Sequence, residues 1–113
     1  MRKGDVYQAN LNPTEGSEQS GIRPVIIVSR DAINVSSPVV IIVPVTSRTN
    51  KQKIYPSHVE LRMHEGGLTA DSVALCEQVR AIAKSRLTKA LGHLPPQKIS
   101  HINAALKIAL DLP

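Results

Sequence analysis

With 113 residues the chain suits one compact domain, 1–113, and leaves little room for a second. Apolar residues make up 42%, enough for a packed core, while the single cysteine, Cys76, excludes an internal disulfide. Aromatics are reduced to Tyr7 and Tyr55 and the formal charge is +5, which argues against a base-stacking platform and favours a polyanionic partner held by charge and hydrogen bonds.

The first residues, Met1-Arg2-Lys3-Gly4-Asp5, carry charge with no apolar stretch behind them, and no apolar run approaches the length of a membrane span. The expectation is a cytoplasmic protein with no membrane partner. Val6 to Leu11 alternates, predicting a short strand with Tyr7, Ala9 and Leu11 on one face. Asn12 to Gly21 carries turn chemistry throughout and reads as a long exposed loop. Pro24–Ser29 and Val39–Thr46 are β-branched runs that predict strands, the second with Pro44 marking an edge or a bulge. A polar, basic loop follows, from Thr46 to Lys51. His58–Leu61 and Ser72–Cys76 read as strands separated by a turn at Gly66-Gly67, and Gln78–Ala83 alternates again. After Pro95-Pro96 the period changes: Ile99, Ile102, Leu106 and Ala109/Leu110 recur at helical spacing, with Pro96 placed to open the helix. The result is a mainly β chain, a small curved sheet closed by one C-terminal helix.

No carboxylate falls between Asp31 and Glu60, where Arg48, Lys51 and Lys53 lie. None falls between Glu77 and Asp111 either, across Arg80, Lys84, Arg86, Lys89, Lys98 and Lys107. The histidines, His58, His64, His93 and His101, have no metal-ligand spacing, and no phosphate-binding glycine loop or nucleophile elbow is present, so neither a metal nor a cofactor is expected. Cys76 sits in an apolar run and reads as a buried thiol. Two places remain for chemistry. In Gly16-Ser17-Glu18-Gln19-Ser20-Gly21-Ile22-Arg23-Pro24 a loop meets a strand at an arginine, and Pro24 forces extended backbone on Arg23. In Val45-Thr46-Ser47-Arg48 a strand delivers two hydroxyls and a guanidinium. Two readings stand side by side: Arg23 grips a phosphate, or it pairs with Glu18 or another surface carboxylate while Thr46 merely ends a strand.

The ordered set Gly4-Asp5-Val6-Tyr7, Asn12-Pro13, Gly16-Ser17-Glu18-Gln19, Gly21-Ile22-Arg23-Pro24-Val25 and Thr46-Ser47 resembles the MazF/PemK toxins. Pro56-Ser57-His58-Val59-Glu60, Gly67-Leu68, Asp71-Ser72-Val73, Glu77-Gln78-Val79-Arg80, Leu87 and Gly92 extend the resemblance over nearly the whole chain. It implies an SH3-like small β-barrel of the CcdB/PemK type with a C-terminal helix, a homodimer, and the toxin of a type II toxin–antitoxin system restrained by a MazE-like antitoxin. The implied activity is a metal-independent, sequence-specific endoribonuclease. The 2′-hydroxyl of single-stranded RNA attacks the adjacent phosphate, leaving a 2′,3′-cyclic phosphate and a 5′-hydroxyl. Carried over residue by residue, the catalytic positions are Arg23 and Thr46, with Glu18 as a carboxylate that accepts a proton or orients Arg23. Gln19, Ser47, Arg48, Lys51 and Lys53 are the expected RNA contacts. A guanidinium is a poor general base, so charge stabilisation is the physically easier role for Arg23.

The first strand departs from the resemblance at Gln8, Ala9 and Asn10, where relatives carry aromatic or acidic residues. Glu77 and Arg80 are expected to form a structural ion pair, Asp71-Ser72 to organise a turn, and His58 to be either structural or groove-lining. The alternative function is a CcdB-like toxin that binds DNA gyrase without cutting anything. The ending Leu110-Asp111-Leu112-Pro113, with no tryptophan to anchor such a target, argues against it.

Overall fold

A computed structural model describes residues 1–51 and 53–113. Seven strands, β1 (Asp5–Asn10), β2 (Ile22–Ile27), β3 (Val39–Ser47), β4 (His58–Leu61), β5 (Ser72–Leu75), β6 (Arg80–Ala83) and β7 (Leu87–His93), form one antiparallel system with two helices, α1 (Asp31–Ser36) and α2 (Pro96–Leu110). The strand order is β4-β5-β3-β2-β1-β7, and β6 also pairs with β3.

The nine-residue β3 is the hinge of this arrangement. Along one side it pairs with β2, Val25 opposite Pro44 and Ile27 opposite Ile42. Its other side is shared: Val39–Ile42 pair with β6, and Val45–Ser47 pair with β5. Pro44 therefore marks neither an edge nor a bulge, as its sequence suggests. It falls in the gap where β3 leaves β6 and takes up β5, the place where a missing N–H costs no ladder bond.

Residue parity along β2 and β3 sorts the apolar side chains into two clusters. Val6, Ile26, Val43 and Val45 join Leu61, Leu94, and Ile102 and Ala105 of α2 in one core. Ala9, Leu11, Val25, Ile27, Val40, Ile42 and Ile82 form the other, with Tyr7 packed against it. Tyr7, Ala9 and Leu11 thus share a face as the alternation predicts. Pro96 opens α2.

The expected barrel is realised with one difference: no ladder joins β4 at one end of the strand order to β7 at the other. Packing closes the gap instead. A Cβ on Gly92 of β7 would lie 2.7 Å from the Gly66 carbonyl carbon and 2.9 Å from the Gly67 nitrogen. Only glycines let the β4–β5 turn lie directly on the β7 backbone. Register shifts in the β1–β7 pairing add the curvature that brings β7 round.

Two elements had no clear sequence signal. Helix α1 is six residues, too short for a period to develop, and is fixed by a buried Ser29–Asn34 pair whose amide donates back to the Ser29 carbonyl at 2.8 Å. Strand β7 is exposed along most of its length, so its residues do not alternate.

Candidate active site

Arg23 is the second residue of β2, half-buried, on the parity that carries Val25 and Ile27 into the core. The β2–β3 register, Val25 opposite Pro44, extended by two residues sets Arg23 opposite Thr46. Residues so placed have Cβ atoms about 5 Å apart on one face. Both line a single cleft of about 220 Å³ with Ser47, Leu68, Thr69 and Ser72. The guanidinium is held by two carbonyls: Nε donates to Ser20 at 2.7 Å and Nη1 to Val45 at 3.4 Å. Among the described residues no carboxylate lies within ion-pair distance of it. Of the two readings open in the sequence, pairing with Glu18 is therefore not the one adopted. Carbonyls fix the direction of the fork and leave its positive charge unneutralised at the mouth of the cleft.

Thr46 is 5% exposed. Its Oγ1 accepts a hydrogen bond from Asn50 Nδ2 at 3.3 Å, which leaves the hydroxyl proton free to donate. Asn50 reaches back because Arg48–Asn50 form a turn of 3₁₀ helix directly after β3. Its contact with Thr46 depends on that turn, which the polar, basic sequence from Thr46 to Lys51 does not signal. Ser47 shares a hydrogen bond with Thr49 at 2.8 Å. Arg48 lies in an adjoining cleft, joined to the first at Ser72, and is engaged by Glu60 at 3.2 Å and by the Lys51 carbonyl. Lys53 sits over the Tyr55 ring, 5.7 Å from its centre.

Glu18 and Gln19 are not in the Arg23–Thr46 cleft. They line a neighbouring one of about 540 Å³ with Ser17, Pro44, Glu77, Gln78 and Arg80. Glu18 accepts the Glu15 N–H at 2.6 Å, and the Gln19 N–H goes to Gln78 Oε1 at 2.8 Å. The expected Glu77–Arg80 ion pair is absent among the described residues. Glu77 is instead 2.9 Å from Nε2 of buried His58. His58 Nδ1 accepts the Tyr55 N–H, so in the neutral ring Nε2 carries the proton and donates it to Glu77. Asp71 organises its turn as expected, accepting the Met63 N–H at 2.9 Å. Burial, helped by the neighbouring Glu77 charge, pushes the Cys76 thiol up to about 12, where it supplies no thiolate. Among the described residues no three His, Cys, Asp or Glu side chains converge as metal ligands would.

Residues 2–110 match the family described as "PemK-like, MazF-like toxin of type II toxin-antitoxin system". The chain belongs to this toxin family. A relative named endoribonuclease MazF, from Staphylococcus saprophyticus, is 48% identical over 99% of this chain and 92% of its own length. Among solved structures, MazF of Deinococcus radiodurans superposes with a TM-score of 0.84 at 28% identity, covering 99% of this chain and 97% of its own. A mycobacterial endoribonuclease in complex with its cognate antitoxin gives 0.82 at 27% identity over 100% and 97%. Within this MazF-like family the mainly β fold with its C-terminal helix is shared along the whole length, the strands that carry Arg23 and Thr46 included.

Proposed function

We infer that the chain is the endoribonuclease toxin of a type II toxin–antitoxin system and that Arg23 and Thr46 act on the scissile phosphate of single-stranded RNA. The observation that carries the assignment is a guanidinium held by carbonyls, with no carboxylate among the described residues neutralising it, opposite a threonine with a free hydroxyl proton. The likeness to a named endoribonuclease at 48% identity supports the reaction class.

In the proposed reaction the 2′-oxygen forms a bond to phosphorus and the bond from phosphorus to the 5′-oxygen breaks. The 2′-hydroxyl loses its proton and the departing 5′-oxygen gains one. No metal or cofactor takes part. Arg23 neutralises the charge gathering on the non-bridging oxygens, and its N–H groups outside the Ser20 and Val45 bonds are those that meet them. Thr46 donates to one of these oxygens and holds the in-line geometry. Glu18 lines the neighbouring cleft and accepts the Glu15 N–H, so its proposed part is to shape the loop whose next residues reach Gln78 and Arg23, and through it to orient Arg23. Gln19, Ser47, Arg48, Lys51 and Lys53 contact flanking nucleotides, Arg48 by exchanging Glu60 for a phosphate.

The whole chain, 1–113, acts as one domain in the cytoplasm. No helix among the described residues is long and apolar enough to cross a membrane. Its partners are a MazE-like antitoxin, in keeping with the antitoxin complexes of similar toxins, and a second copy of the chain. The outer face of β3 and β6 is the surface proposed for that copy: Val39 and Ile41 stand opposite Ala83 and Ala81, all exposed and all apolar. Ile41→Arg is expected to give monomers by sedimentation, whereas a dimer that persists would place the interface elsewhere. The gyrase alternative gains nothing from α2, which ends without an aromatic anchor.

The test is incubation with a long single-stranded RNA in EDTA, followed by mapping of the ends. Discrete cuts leaving 5′-hydroxyls, lost in Arg23→Ala and in Thr46→Ala while both stay folded, are expected. Full activity in both variants overturns the assignment.

A further inference from the structure

The loop between β1 and β2 is tied at its base by the Leu11 N–H to the Gly21 carbonyl, and by Arg86, which donates to the carbonyls of Asn10 and Asn12. Its tip is another matter. Glu18 and Glu15 hydrogen-bond each other, which shapes the tip without attaching it to anything. Among the described residues, attachment across the fold comes from Gln78: Oε1 accepts the Gln19 N–H at 2.8 Å and Nε2 donates to the Ser17 carbonyl at 3.3 Å. The residue after Gln19, Ser20, supplies the carbonyl that holds Arg23 Nε.

Gln78 is itself on firm ground. It ends the 3₁₀ turn Cys76–Gln78, in which Cys76 is wholly buried and takes the Ser57 carbonyl, while Glu77 is bonded to buried His58. A primary amide suits the position because it offers a donor and an acceptor side by side on one rigid plane. A carboxylate supplies the acceptor alone, and a thioether supplies neither in useful strength.

We propose that Gln78 is a positioning residue for Arg23: its side-chain amide fixes Ser17 to Gln19, and through them the Ser20 carbonyl that aims the guanidinium. The proposal rests on the reading of Arg23 as the phosphate-binding arginine. A loop ordered before RNA arrives carries Arg23 in its reactive direction, and misplacement by about 1 Å costs on the order of 10- to 100-fold in rate.

The experiment compares Gln78→Met and Gln78→Glu with the unsubstituted protein, reading kcat and KM for RNA cleavage in EDTA, amide hydrogen exchange at Gln19, and the melting temperature. In Gln78→Met the melt is expected to stay within a few degrees and exchange at Gln19 to quicken. Its kcat is expected to fall on the order of 10- to 100-fold with KM little changed. Gln78→Glu keeps the acceptor for the Gln19 N–H and falls between, and it decides the matter where the methionine variant is poorly folded. Three results overturn the proposal: cleavage unaltered in Gln78→Met, exchange at Gln19 unaltered whatever the activity, or KM raised with kcat intact. The last would make Gln78 an RNA contact instead. Unsubstituted protein that cuts no RNA overturns the reading of Arg23, and exchange at Gln19 then still decides whether the clamp exists.

Discussion

Replacing Thr46 separates a hydroxyl that acts on phosphate from one that merely ends a strand. Thr46→Val keeps the branched shape at a site only 5% exposed and removes the oxygen. Among the described residues the group then left without its partner is the Asn50 amide, which is exposed and turns to water, so the fold loses less than about 1 kcal/mol. In the proposed mechanism the reaction loses a donor aimed at a developing negative charge. In enclosed sites such a donor accounts for about 2.7–4 kcal/mol, or roughly 100- to 1,000-fold in rate. The Arg23–Thr46 cleft is open to solvent along its mouth, which puts the expected loss near the lower end, about 100-fold. Thr46→Ser keeps the hydroxyl and discards a methyl, and stays within about 10-fold of the unsubstituted rate. Single-turnover cleavage of a short RNA in EDTA reads the chemical step free of product release, with a thermal melt alongside. A valine variant cutting at full rate would refute the role of the hydroxyl. A serine variant as slow as valine would refute it too, showing that the methyl and its packing are what matter.

Arg23→Lys keeps a positive charge but loses the Nε–H that meets Ser20 and the planar fork, so the cleavage rate falls about 100-fold; equal activity would mean that charge alone suffices. Gly92→Ala sets a methyl 2.7–2.9 Å from the Gly66 and Gly67 backbone, prying the β4–β5 turn off β7 at a cost of about 1–3 kcal/mol, which a urea midpoint unchanged from the parent would contradict. Burial works to raise the Asp5 carboxyl, but the Arg2 N–H and the His93 side chain at 2.8 Å outweigh it and hold Asp5 below its ordinary 3.8. A carboxyl lowered on folding stabilises above 3.8 and stops doing so as pH falls through its folded value. Asp5→Asn is therefore expected to be less stable than the parent by on the order of 1 kcal/mol at neutral pH, with the gap closing below pH 3.8, and parallel melting curves at all pH values would contradict this.

How much of this was legible beforehand follows from what each residue depends on. Val25, Ile27, Val40 and Ile42 declare themselves by β-branching, and with them the two central strands and the mainly β class. The helix over Pro96–Leu110 is equally plain because its apolar residues recur over four turns. Strand β7 is exposed and α1 is one and a half turns long, so neither leaves a period to read. Arg23 and Thr46 could be named from the motifs, but not placed together, since that needs the register of β2 against β3. Glu18 and Gln19 stand four or five residues from Arg23 in sequence yet face a different cleft, because the strand turns one way and the loop the other. Gln78 was visible as a family residue and as the start of an alternating run, but not as a loop contact; its bonds span 59 and 61 residues, a separation no local pattern records.

The two kinds of placement carry different vulnerabilities. Arg23 and Thr46 face each other because Val25 opposite Pro44 and Ile27 opposite Ile42 bury their side chains on the same parity. A slip of one residue would expose that entire apolar set, so the core holds the pair in register with far more free energy than any contact within the cleft. Nothing comparable fixes the loop from Asn12 to Gly21. Its residues are mostly exposed, and among the described residues it is held by hydrogen bonds from Gln78 at the tip and from Arg86, Leu11 and Gly21 at the base. The pairing of guanidinium and hydroxyl is thus as stable as the fold, whereas the fine aim of the guanidinium, through the Ser20 carbonyl, is only as stable as the loop. A partner that inhibits the enzyme has no need to unfold the sheet: lifting residues 17 to 20 off Gln78 would remove the carbonyl that directs Arg23 while leaving every strand in place.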